Sequence, residues 1–292
     1  MNFSAFDLLE SRFVTSADGT QIYTDAIGNR FSNAPAVIMI PGFSMVKAAF
    51  DAIFNDSQWT SNAFLVRYDP RGHGKSGKPA SEEAWESCRI SEDFEAVCKE
   101  FGVTRAFVMG WSLGSSHFVD IATHNTSVAI SGFICVGGVP WVDQATILRI
   151  STPESLSLLT TQIGEVDTFQ ESCLNFVNWL SDRISPELYR SLLEGLIVVP
   201  RVIASKASTR IQNPDTMFQK GRDGELGLLL ITGKKDKLMN GGAVKVAYEE
   251  TGWKKLTHCH FESGDHMPWL SVAEQFRETV LQWVKERHDQ GM

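Results

Sequence analysis

Gly110-Trp111-Ser112-Leu113-Gly114 follows the apolar run Ala106 to Met109 and precedes a stretch that reads as helix to about Thr126. A strand, a sharp turn and a helix in that order force the central Ser112 into a strained backbone conformation and lift its hydroxyl above the sheet. Gly110 and Gly114 let neighbouring backbone approach without a Cβ clash. The Leu113 amide, at the start of the new helix, points into the same space with the positive end of the helix behind it. A serine hydroxyl alone is a poor nucleophile and needs a base, an acid and a second oxyanion donor. G-x-S-x-G also occurs in ordinary glycine-rich turns, so its partners decide its meaning.

Two such partners stand late in the chain. Gly233-Lys234-Lys235-Asp236 follows an apolar run ending at Thr232, and Gly264-Asp265-His266-Met267-Pro268 follows one ending near Phe261. Open α/β sheets gather their chemistry at the carboxyl ends of strands. Asp236 and His266 are therefore expected at the same rim as Ser112, in the order Ser, Asp, His. His266 would take the Ser112 proton and return it to a leaving group, while Asp236 would hold the imidazole tautomer and stabilise the imidazolium. The Phe43 amide, after another buried strand, would join the Leu113 amide as an oxyanion hole. Asp265 adjoins His266, but adjacent side chains diverge, so it reads as a loop-stabilising residue.

The elements that must position these groups alternate. Arg12 to Thr15 and Thr20 to Ile27 flank an Asp18-Gly19 turn and read as a hairpin. Buried strands are expected over Ala36 to Ile40, Phe64 to Tyr68, Ala106 to Met109, Ile130 to Val136, Gly227 to Thr232 and Leu256 to Phe261. Helices are expected over Met45 to about Asn62, Ser81 to Phe101, Gly242 to Glu250 and Val272 to Arg287. Strands separated by helices imply crossovers and a mostly parallel sheet covered on both faces. From Gln144 to roughly Lys220 the pattern breaks into helical pieces near Ser155 to Ile163, Phe169 to Leu180, Pro186 to Val198 and Arg201 to Ser208. Pro153 and Pro186 stand where helices start. The expected division is a core over 1–140, a helical cap over 141–222 and the rest of the core over 223–292.

Composition excludes several classes. The 292 residues are ample for a large core, and no apolar run approaches the roughly 20 residues of a membrane span. A net charge of -8 with scattered Lys and Arg argues against nucleic acid as a partner. Met1 to Glu10 holds two acids and no basic segment ahead of an apolar one, so no secretory signal is expected. Cys88, Cys98, Cys135, Cys173 and Cys259 are odd in number and lack C-x-x-C spacing, which points to reduced thiols and a cytoplasmic protein.

The chain resembles the α/β-hydrolase family, serine-nucleophile branch, across nearly its full length outside the cap. The resemblance rests on Pro41-Gly42-Phe43, Asp69-Pro70-Arg71-Gly72-His73-Gly74-Lys75-Ser76, Gly110 to Gly114, Gly233 to Asp236, and Gly264-Asp265-His266. Many members carry His-Gly where this chain has Pro41-Gly42. The donor is a backbone amide, so the role is retained. Some members place the acid where Asp143 stands. The resemblance implies hydrolysis of a hydrophobic carboxylic ester or lactone through an acyl-enzyme, with no cofactor and no metal. The same triad also serves carbon-carbon bond hydrolases, lyases, acyl transferases and perhydrolases. A slow-turnover ligand receptor and a degenerate interaction module are rival classes. Epoxide hydrolases and haloalkane dehalogenases need a carboxylate where Ser112 stands.

Three other features call for plainer readings. Gly72-His73-Gly74-Lys75-Ser76 imitates a phosphate loop, but Asp69 stands where that loop needs glycine, so a structural turn tied by Asp69 and Arg71 is expected. His258 and His260 would share one strand face and lack a third metal ligand. The tryptophans divide between packing and ligand contact. Trp111 and Trp269 flank proposed catalytic residues, and with Trp141 and Trp179 they are the expected lining of an apolar pocket for a small hydrophobic substrate. Oligomeric state has no sequence signature here.

Overall fold

The computed structural model describes residues 9–30, 33–164 and 167–289. The stretch read above for targeting lies, through Leu8, outside the described residues. The strands are β1 (Glu10–Thr15), β2 (Gln21–Ile27), β3 (Ala36–Ile40), β4 (Phe64–Tyr68), β5 (Arg105–Trp111), β6 (Ala129–Val136), β7 (Gly227–Gly233) and β8 (Lys255–Phe261). They form one eight-stranded sheet in the order β1-β2-β4-β3-β5-β6-β7-β8. β1 and β2 pair antiparallel, as do β2 and β4, and every pairing from β4 to β8 is parallel. Residues Val37 to Ile40, Val108, Met109, Phe133 to Val136 and Leu228 to Ile231 are fully buried. Such continuous apolar runs are what a sheet covered on both faces requires, each large side chain contributing about 1.5–3 kcal/mol by burial. β8 is an edge strand, and His258 and His260 lie on its half-open face.

The helices are α1 (Asp51–Phe54), α2 (Ser57–Thr60), α3 (Ser87–Glu100), α4 (His117–His124), α5 (Gln144–Ile150), α6 (Pro153–Gly164), α7 (Phe169–Leu180), α8 (Pro186–Val198), α9 (Arg201–Thr209), α10 (Asp215–Asp223), α11 (Gly241–Glu250), α12 (Pro268–Ser271) and α13 (Ala273–Asp289). The single helix expected over Met45 to Asn62 is instead a 3-10 turn, Lys47–Phe50, followed by α1 and α2. Polar side chains hold the starts of two of these pieces. Asp69 Oδ1 accepts the Lys47 amide at 2.8 Å, and Asp56 caps α2 through the Gln58 amide at 2.9 Å. The periodicity reading missed α5, α10 and the short α12. α5 is started by Asp143, whose side chain accepts from the Ala145 and Thr146 amides, and α10 ends at Gly224 with φ 78°.

The winding positions the site. From β3 the chain crosses to β4 on one side, then returns past β3 to β5 on the other. The crevice at such a reversal opens at the carboxyl ends of the two strands, here after Ile40 and Trp111. Among the described residues, the helices α5 to α10 lie between β6 and β7. The stretch between α9 and α10 is tied to α4 and to Ser116 just before it. Arg210 makes a two-pronged bond to Asp120, with distances of 2.7 Å, and Gln212 donates to the Ser116 carbonyl at 2.8 Å. The Gln212 side-chain oxygen in turn accepts the Val142 amide at 2.7 Å.

Candidate active site

Ser112 has φ 54°, in the left-handed region that residues with a Cβ rarely occupy. The flanking glycines make that turn feasible. A Cβ on Gly110 would overlap the backbone of Ser115, and one on Gly114 would overlap the carbonyl groups of Ile40 and Pro41. The tight reversal into the following turn thus demands Gly110, and the close passage of the end of β3 demands Gly114. Gly42 lies so close to Ser112 that a Cβ there would meet the Ser112 Cβ at 2.8 Å. Phe43 is therefore next to the serine, and its N–H makes no hydrogen bond among the described residues. Leu113 lies in the first turn of the 3-10 segment Ser112–Ser116, where amides have no partner within the helix.

The loops carrying His266 and Asp236 lie against each other. Lys234 N–H donates to the Phe261 carbonyl at 3.0 Å, and Lys235 N–H to the Gly264 carbonyl at 2.8 Å. His266 Nδ1 donates to Asp236 Oδ2 at 2.8 Å, with the two side chains 0% and 3% exposed, which leaves water little access to the pair. Asp236 Oδ1 accepts the Leu238 and Met239 amides at 2.9 and 3.0 Å, so the carboxylate is anchored from both oxygens. His266 Nε2 is buried and has no hydrogen-bond partner among the described residues. With Nδ1 protonated toward Asp236, that atom carries the free lone pair. Gly137, with φ 48°, passes behind the pair, and a Cβ there would crowd Asp236 Oδ2 and His266 Nδ1.

The remaining expected residues fall into distinct places. Asp143 caps α5, as described above. Asp265 Oδ1 accepts the Met267 amide at 2.9 Å, in keeping with a loop-stabilising role. Trp111 and Trp269 are buried, and their rings meet edge to face at 5.2 Å. Their N–H groups donate to the carbonyls of His266 and Ala49 at 2.7 and 2.9 Å. Trp141 is half-buried against Phe218 and Tyr248, at 4.8 and 6.4 Å between ring centres, and Trp179 is half-buried on α7. Phe176 of α7 covers the Phe43 ring edge-on at 6.4 Å.

The glycine-rich loop after β4 is a tied turn. Arg71 bonds both Asp93 oxygens at 2.7 Å and Asp18 at 2.9 Å, and Asp69 Oδ2 accepts the Lys75 amide at 3.0 Å. His258 and His260 both contact Thr232 Oγ1 at 2.9 Å, and no cluster of three metal-binding side chains occurs among the described residues. One residue to which the sequence analysis assigned no role of its own lies beside the site. His73 Nδ1 donates to the Arg71 carbonyl at 2.9 Å, and its Nε2 accepts the Ser44 amide at 3.2 Å. Burial lowers its pKa from 6.5 to about 4, so the imidazole stays neutral and keeps that acceptor. His73 thereby fastens the loop carrying Phe43. Its distance from Ser44 in sequence left no local signal.

Residues 35–167 match the family model described as the alpha/beta hydrolase fold. The chain has the α/β-hydrolase fold. The chain is similar in structure to esterase RhEst1 from Rhodococcus sp. ECU1013, with a TM-score of 0.80 and 21% identity over 94% of this chain and 98% of that one. It is also similar to the esterase EaEST from Exiguobacterium antarcticum, with a TM-score of 0.74 and 20% identity over 94% and 100% of the two chains. A 90-residue stretch is 32% identical to Probable oxidoreductase EphD of Mycobacterium tuberculosis and covers 31% of this chain. The chain spans 14% of the length of that relative, and the counterpart from Mycobacterium bovis matches equally. No helix among the described residues is long and apolar enough to cross a membrane.

Proposed function

We propose that this protein is a serine hydrolase of a small, hydrophobic carboxylic ester or lactone. The observation that carries the reading is the buried His266–Asp236 pair, with an unpartnered Nε2, on the same rim as a Ser112 held at positive φ. Ser112 Oγ adds to the substrate carbonyl carbon while His266 Nε2 takes its proton. The oxyanion that forms is held by the Phe43 and Leu113 N–H groups, each worth on the order of 10²- to 10³-fold in rate. Collapse expels the alkoxide, which takes the proton from His266 and leaves an acyl group on Ser112. Water, deprotonated by the same imidazole, then releases the acid. These steps call for no cofactor or metal.

In this reading residues 141–222 form a cap over the rim. Phe176 and the half-buried Trp141 and Trp179 are its candidate contacts to an apolar substrate. Trp111 and Trp269 brace the base from behind. The resemblance to structures named as esterases supports an ester over the other substrates of this triad, and the free thiols are consistent with a cytoplasmic setting.

The test is labelling with a fluorophosphonate, followed by turnover of ester, thioester and lactone series. Wild type should be labelled and should hydrolyse one series, and Ser112→Ala and His266→Ala should do neither. Equal labelling of Ser112→Ala would remove the serine from its role. Labelling without turnover would favour a ligand receptor.

A further inference from the structure

The loop carrying His266 is tied to the helices between β6 and β7 through one carboxylate. Asp265 Oδ2 accepts the Ser181 hydroxyl at 2.6 Å, and Ser181 is a buried residue at the carboxyl end of α7. The other oxygen of Asp265 reaches across His266 to the Met267 amide at 2.9 Å, an Asx turn that fixes the His266 backbone. Asp265 N–H donates to Ser271 Oγ at 3.1 Å, so the residue is held from both sides. Ser181 itself accepts the Arg183 amide at 3.1 Å, which orients its proton toward Asp265.

A second tie runs in parallel to the acid loop. Thr152, between α5 and α6, donates its hydroxyl to the Lys237 carbonyl at 2.7 Å and its amide to the Leu238 carbonyl at 3.2 Å. Asn240 N–H donates to the Ile150 carbonyl at 2.7 Å. Both members of the His266–Asp236 pair thus stand on loops bonded to the same helical segment.

We propose that Asp265 is a positioning residue for His266 and that Ser181 holds it in that role, so that the seating of the α5–α10 segment sets the aim of the base. The inference rests on the proposed serine-hydrolase reading. Its physical basis is that catalytic groups tolerate little displacement, a shift of about 1 Å costing on the order of 10²-fold in rate. A carboxylate bonded at both oxygens transmits the position of α7 to the residue beside it.

The experiment uses the full chain, p-nitrophenyl butyrate as substrate and a fluorophosphonate as active-site probe. Ser181→Ala should lower kcat about tenfold with KM within about twofold, and Ser181→Thr, which restores the hydroxyl, should recover at least half of wild-type kcat. Asp265→Asn keeps an acceptor for the Met267 amide but loses the carboxylate, and should fall at least as far as Ser181→Ala. The double variant should be no worse than Asp265→Asn alone, because both changes break one connection. Thermal midpoints and circular dichroism report the folded fraction, to which each kcat is referred. Ser181→Ala with kcat within twofold of wild type, loss in Ser181→Thr equal to that in Ser181→Ala, or additive losses in the double variant would overturn the inference. Wild type that is neither labelled nor active overturns the serine-hydrolase reading and this inference with it. Labelled, active wild type leaves the outcome to Ser181 alone.

Discussion

The Trp111 indole donates to the backbone carbonyl of His266 at 2.7 Å, joining the residue before the proposed nucleophile to the proposed base across 155 positions of sequence. The indole is fully buried, and its ring centre lies 5.5 Å from that of the imidazole. Trp111→Phe keeps most of the ring and removes the donor, leaving a buried carbonyl without its partner at a cost of about 1–3 kcal/mol. The expected outcome is a lower thermal midpoint and roughly a tenfold loss in kcat/KM. Ester kinetics and a melting curve check both, and unchanged kcat/KM would separate the indole from base alignment.

Asp236→Asn retains the size of the side chain but can present an amide N–H to His266 Nδ1, favouring the wrong tautomer. Loss of about 10⁴-fold in kcat is expected, as for triad acids generally. Asp143→Asn, a substitution at the cap of α5, should leave kcat within about twofold, because an amide oxygen still caps a helix. Steady-state rates on one ester compare the two directly.

Stability should depend on His73 in acid. The folded state holds this imidazole neutral with a pKa of about 4, against 6.5 in the unfolded chain. Between those values the unfolded chain binds more protons, so stability falls as pH drops from 6.5 toward 4, by about 3 kcal/mol in all. His73→Gln, which can still donate and accept, should flatten that slope. Urea unfolding at pH 7 and pH 5 provides the comparison, and parallel slopes for the two proteins would count against it.

Arg210 and Asp120 form a buried pair with side chains 3% and 0% exposed, and Ser87 adds a 2.6 Å bond to Asp120. Arg210→Met leaves that carboxylate without its cation and should cost about 3–5 kcal/mol. Arg210→Met with Asp120→Leu should recover much of the loss, since no charge is then left buried. Denaturant midpoints of the two variants decide between a paired and an independent role.

Much of the fold was legible because a buried strand of a parallel sheet reads as a near-continuous apolar run, and β3 and the Leu228 to Ile231 stretch of β7 are such runs. The helices α7 and α8 were read to the residue, where amphipathic spacing and Pro186 mark them. The region of Lys47 to Thr60 misled, since its apolar residues suit one helix while Asp56 and the distant Asp69 cap its amides and break it. α5 and α10 were missed, although Asp143 and Gly224 mark their ends through capping rather than through periodicity.

For the site, the sequence by itself determined the chemical types and their order: a serine between glycines, then Asp236 and His266 after apolar runs. Those depend on local turn geometry and strand ends, which short stretches of chain encode. Only the tertiary structure decided that Trp111 holds the His266 carbonyl, that His73 fastens the Phe43 loop and that Ser181 reaches Asp265. These are single hydrogen bonds between distant segments, formed where the packing of the sheet and helices happens to bring a donor to an acceptor. No spacing or periodicity records such a meeting, because it exists only once the core has fixed the separation of the loops.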